Sequence, residues 1–126
     1  MDDIYRENII DHYKNPRNFG DLADADIVVR EANASCGDML QLALKFEIRN
    51  SKSEIKEIKF KSIGCAISTA AASMLTEKVK EMGEIETIRK IKDEDVVGLL
   101  GIEVSPTRMK CVLLPLKAIQ KALREV

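Results

Sequence analysis

An α+β fold, with one three-stranded, mostly antiparallel sheet and helices packed on one face of it, follows from two patterns in this 126-residue chain. From Leu40 to Ile48, apolar and polar residues alternate. Leu40, Leu42, Leu44, Phe46 and Ile48 point one way, and Gln41, Lys45 and Glu47 the other. That is the period of a strand with one buried face. From Ala66 the period changes to three and four, through Ile67, Ala71, Met74, Lys78 and Met82, which is the period of a helix.

The other elements can be placed in order. Residues 2 to about 14 read as an amphipathic helix, with Tyr5, Ile9 and Tyr13 as its stripe and Asp2 and Asp3 at its positive end. Asn15-Pro16 ends it, and Asn18-Phe19-Gly20 continues as a turn. Ile27 to about Ala32 is a short strand. Arg49-Asn50-Ser51 turns the chain into a third strand with Ile58 and Phe60 inward, while Ile55 and Ile63 fall out of phase. Gly83 caps the long helix in a left-handed conformation. Glu84 to Ile91 and Asp93 to Leu100 form two short helices. Val112, Leu116, Ile119 and Leu123 mark the last helix. A proline inside a helix costs about 3 kcal/mol and in the first turn almost nothing, so Pro115 predicts a start at or just after Cys111.

Composition sets limits on function. The length fits a single domain, residues 1–126, able to bury its own core. The net charge is -1 and aromatics are 4%, which argues against a nucleic-acid or anionic-membrane surface. No apolar run reaches the length of a membrane span. The acidic, amphipathic start is unlike a secretory signal, so the expected location is cytoplasmic, with thiols kept reduced.

Three cysteines, Cys36, Cys65 and Cys111, stand in different local contexts, and an odd number closes no complete disulfide framework. Three thiolates with Asp38 would make four ligands, enough for zinc or for the outer bonds of a two-iron cluster. Gly37 allows a tight or left-handed turn that aims Cys36 and Asp38 at one ion. Cys65 and Cys111 are placed at helix N-termini. The helix dipole there favours a thiolate by only about 0.3–1 kcal/mol, so deprotonation needs a metal. Arg108 and Lys110 add positive charge that can balance an anionic site. A carboxylate is harder than a thiolate, so this ligand set suits a cluster meant to leave. There is no C-x-x-C pair, and on spacing alone buried, inert thiols remain equally open. His12, the single histidine, rules out a multi-histidine site and is expected as a surface or capping residue. Met74 and Met82 read as core filler, and the Lys/Glu run from Ser51 to Lys61 as the wet face of a strand.

Four ordered segments also resemble a known family. Asp11-His12-Tyr13-Lys14-Asn15-Pro16-Arg17-Asn18-Phe19-Gly20 is similar to the N-terminal signature of the IscU/NifU-type iron–sulfur cluster assembly scaffolds, a group that includes the SufU proteins. Ala34-Ser35-Cys36-Gly37-Asp38 resembles the first ligand segment. Gly64-Cys65-Ala66-Ile67-Ser68 with Ala72-Ser73-Met74 resembles the second, and Lys110-Cys111 with Leu113 the third. The resemblance implies a scaffold, not a turnover enzyme, that builds a transient [2Fe-2S] cluster and passes it to apo iron–sulfur acceptor proteins. Cys36, Asp38, Cys65 and Cys111 would be its cluster and metal ligands, with Cys111, Cys65 and Cys36 as persulfide acceptors. Its partners would be a cysteine desulfurase, the acceptors, and a ferredoxin or frataxin-like protein. Both a monomer and a cluster-bridged homo-oligomer fit. The same four residues would hold Zn²⁺ in the alternative, a zinc-dependent sulfurtransferase of the SufU kind.

The chain also departs from the family. Lys110 stands where many IscU proteins have histidine, as in SufU-like members, yet the insertion that SufU proteins carry between the second and third cysteines is missing. The chaperone motif Leu-Pro-Pro-Val-Lys is replaced by Val104-Ser105-Pro106-Thr107-Arg108, which gives little support to a dedicated Hsp70-type chaperone. The extra domains of long NifU proteins are not expected.

Overall fold

The computed structural model describes residues 3–34 and 37–126. These form α1 (Asp3–Lys14), β1 (Ile27–Asn33), β2 (Asp38–Arg49), β3 (Lys52–Ile63), α2 (Ala66–Met82), α3 (Ile85–Ile88), α4 (Asp93–Leu100) and α5 (Pro106–Arg124). The sheet runs β1-β2-β3 with both pairs antiparallel, as the alternation predicts. Helices α2 and α5 pack on its apolar side, and α1 packs on α2. A buried run of small residues, Ser68 and Ala70 through Ser73, lets α2 approach its neighbours closely. Leu40, Leu42, Leu44, Ile58 and Phe60 supply the sheet's share of the core. Met74 and Met82 join that core as expected.

The β2–β3 hairpin closes through Asn50 and Ser51, both at positive φ (53° and 64°), the backbone of a two-residue turn that matches strand twist. The phase problem of Ile55 is resolved by a β-bulge. Lys45 pairs with Glu57 but Phe46 pairs with Ile55, so Lys56 is the extra residue. One inserted residue reverses the inward phase, and Ile55 and Ile58 are both buried. Ile48 departs from expectation. It is 79% exposed, next to the end of β2 at the hairpin turn. Ile63 faces out opposite Met39 on the open side of the sheet.

Two further expectations are corrected. In α1, Tyr5 and Tyr13 are exposed, and the inward residues are Ile9 and His12. His12 is not a surface residue; it is buried, with Nδ1 2.7 Å from Ser73 Oγ. Ser73 Oγ also accepts the Arg17 backbone N–H at 2.8 Å, so one hydroxyl meets both the imidazole and the backbone of the following turn. This contact ties α1 and the turn after it to α2.

The second correction concerns α5, which starts five residues before Cys111, with Pro106 in its first turn and Pro115 inside it. Pro115 has no backbone N–H to contribute to the helix. The helix survives because Val112, Leu114, Pro115, Leu116, Ala118, Ile119, Ala122 and Leu123 are all buried. Each large apolar side chain contributes about 1.5–3 kcal/mol, which together exceeds the proline penalty.

Burial, with a smaller effect of Arg17, lowers the His12 pKa below its ordinary value, while Glu77 and Asp11 oppose the shift. The folded state therefore binds its proton less readily than the unfolded chain. The stability this gives is present above the unfolded pKa of about 6.5 and is lost as pH falls below it. Urea unfolding from pH 7.5 to 5 should show a falling midpoint that flattens in His12→Gln; an equal slope in both proteins would exclude His12 as the source.

Candidate metal and sulfur site

Asp38 opens β2 immediately after Gly37, whose φ of 73° supplies the left-handed turn expected there. Cys65 follows β3 and Gly64 and occupies the N-cap position of α2. Its side chain makes no cap hydrogen bond, and the first turn of α2 carries no acid. The positive end of α2 is thus left to Asp38, whose Oδ1 accepts the Cys65 N–H at 3.3 Å. Cys111 lies in the second turn of α5 and not at its N-terminus, so the dipole argument made for it does not apply. It is buried, and Asn33 Nδ2 lies 3.8 Å from its Sγ.

One donor atom from each of Asp38, Cys65 and Cys111 lies within 4.8 Å of the others. Residues 27 and 46 positions apart in the chain therefore converge on one point. Asp38 is 2% exposed and its Oδ2 has no hydrogen-bond partner among the described residues. A buried carboxylate oxygen without a donor is costly unless something positive completes it. Two soft sulfurs and that oxygen fit Zn²⁺ or iron. Gly64 makes the approach possible, since a Cβ there would fall on the Asp38 carboxylate. Cys36 lies outside the described residues, and its part in the site rests on its chain position two residues before Asp38.

The donors open into a cleft of about 310 Å³ lined by Asp38, Gly64, Cys65, Thr107, Arg108 and Cys111. Of the two cations read as charge-balancing, only Arg108 lines it; Lys110, on another side of α5, does not. Sequence reasoning missed Asn33 and the spacing role of Gly64. Asn33 was accessible in principle. It continues the inward phase of Val29, and the register sets it opposite Asp38.

Residues 4–126 match the NifU-like N-terminal domain, and the chain belongs to that family. It is 37% identical to the zinc-dependent sulfurtransferase SufU of Bacillus subtilis, covering 98% of this chain and 91% of the relative. It is 35% identical to the iron–sulfur cluster assembly enzyme IscU of Drosophila melanogaster (97% and 77%). It is 34% identical to the scaffold protein IscU of Aquifex aeolicus (96% and 74%). Among solved structures, a putative iron–sulfur cluster assembly scaffold protein for the SUF system from Fervidobacterium islandicum superposes with a TM-score of 0.72 at 28% identity. That match covers 93% of this chain and 94% of the other. The SufU alignment spans 140 positions against 126 residues here, so the relative carries residues this chain lacks; the two IscU alignments, of 125 and 121 positions, do not exceed the chain. No helix among the described residues is long and apolar enough to cross a membrane.

Proposed function

We propose that this domain is a scaffold on which iron and desulfurase-derived sulfur are joined into a transient [2Fe-2S] cluster, which is then handed to apo acceptor proteins. The observation that carries this reading is the convergence of Asp38, Cys65 and Cys111, together with the unpartnered Oδ2 of the buried Asp38. Cys36 completes a set of three sulfurs and one oxygen. The cluster is cargo. A mixed hard and soft donor set holds it less firmly than four thiolates would, and the adjoining cleft leaves the metals reachable by an acceptor. Of the two described thiols, Cys65 is the more exposed and Cys111 is buried, so Cys65 is the readier to meet an incoming sulfur donor. The partners are a cysteine desulfurase and apo iron–sulfur proteins, and the setting is the cytoplasm.

A second reading is supported by the Bacillus relative, named a zinc-dependent sulfurtransferase. A resident Zn²⁺ would be held by Cys36, Asp38, Cys65 and Cys111, and would keep the thiols deprotonated at neutral pH. The missing internal segment favours the scaffold.

Anaerobic reconstitution with ferrous iron, cysteine and a desulfurase separates the two. The scaffold reading expects visible absorption from a two-iron centre, two acid-labile sulfides per cluster, and transfer to an apo-ferredoxin. Tight one-to-one zinc, accelerated desulfurase turnover and no transferable cluster would overturn it in favour of the sulfurtransferase. In Cys65→Ser and Cys111→Ser, cluster yield should fall at least about tenfold, as loss of a thiolate ligand demands.

A further inference from the structure

We infer that Arg108 is the specificity-determining residue for the sulfur donor, holding it as a persulfide anion at the mouth of the cleft. The inference rests on the sulfur-accepting reading above. The cleft is lined by Asp38, Gly64 and Cys65 and, from one face of α5, by Thr107, Arg108 and Cys111, with Arg108 one turn before Cys111. Among the described residues, Arg108 is the one cation that lines the cleft. Arg108 is exposed and forms no ion pair with a carboxylate among the described residues, so its guanidinium is available to an incoming anion. Its neighbour Thr107 offers a hydroxyl donor. Asp38, whose buried Oδ2 has no hydrogen-bond partner among the described residues, lines the same cleft.

The chemistry explains why a cation is needed in that cleft. The accepting thiolate attacks the outer sulfur of a donor R–S–S⁻. The donor's S–S bond breaks, a new S–S bond forms on the cysteine, and R–S⁻ leaves with the electron pair of the broken bond. One anion enters and one leaves, the total charge stays at two, and one S–S bond replaces another, so no external oxidant or reductant is required. An anion approaching two thiolates and a carboxylate is repelled. A guanidinium lining the same cleft offsets that repulsion and gives directed N–H donors to the incoming and departing sulfur. Lys110 has the same charge but lies outside the cleft.

The test measures sulfur uptake by mass spectrometry on the full chain, with glutathione persulfide as donor. Variants are Arg108→Gln, Arg108→Lys and, as control, Lys110→Gln. Arg108→Gln should raise KM about tenfold, equivalent to about 1.4 kcal/mol, with the saturated rate within about twofold and zinc affinity unchanged. Arg108→Lys should recover most of the loss, and Lys110→Gln should match wild type. Salt should raise the wild-type KM and leave that of Arg108→Gln nearly flat. An unchanged KM in Arg108→Gln overturns the assignment, as does a loss that parallels a fall in zinc affinity. If the wild type takes up no sulfur from either this donor or a cysteine-loaded desulfurase, the sulfur-accepting reading fails, and the role of Arg108 with it.

Discussion

Gly64→Ala is expected to lower zinc affinity at least about tenfold while leaving the domain folded. The residue does not occupy a conformation reserved for glycine; the constraint is space. A Cβ at this position would clash with Asp38 Oδ1, with Cγ at 3.0 Å and Cβ at 3.3 Å behind it. Asp38 is short and held by β2, so it must swing away from the two sulfurs or push the Gly64–Cys65 link outward. Overpacking of this kind costs about 1–3 kcal/mol, and here the strain falls on the ligand set. Competition against a chromophoric chelator measures the effect. The double variant Gly64→Ala, Asp38→Ala should lose less than the sum of the two single changes, because the second removes what the first collides with. Strict additivity would show that the two residues do not interfere.

Asp38→Ala is expected to act in opposite directions on two properties. In the metal-free protein it removes a carboxylate with one long hydrogen bond and one orphaned oxygen. Relieving such a group is worth about 1–3 kcal/mol, so the midpoint of urea unfolding should rise. With cargo bound, the same change deletes the one hard donor and leaves sulfur ligands alone, so release to an apo-ferredoxin should slow. A variant that is less stable when metal-free, or that transfers as fast as wild type, would remove Asp38 from the role given to it. Residues that weaken a fold and serve its function are common at binding sites.

The sheet and most helix boundaries were legible because alternation and three-to-four spacing report directly on which side of an element is buried. The exceptions have physical causes. Ile55 looked out of phase because a bulge at Lys56 consumes one residue, and no local composition marks a bulge. The stripe in α1 was misread because Tyr5, Ile9 and Tyr13 repeat every four residues. The face that docks carries a histidine whose partner, Ser73, lies 61 residues away. The start of α5 was set too late because the penalty of Pro115 is local, whereas the burial that outweighs it is collective. At the site, residue types and segment order pointed to Asp38, Cys65 and Cys111. Which cation faces them was decided by the angular position of Arg108 and Lys110 on α5, and that angle was misjudged once the helix start was misplaced.

The long separations between Asp38, Cys65 and Cys111 have a thermodynamic consequence. No two of the three come from one element, so an extended chain cannot chelate through all of them at once. Occupancy and architecture are consequently linked: loading must raise the melting temperature in proportion to the logarithm of free metal. Conversely, any force that pries α5 from the sheet carries Cys111 away from Asp38 and Cys65 and so dismantles the donor set.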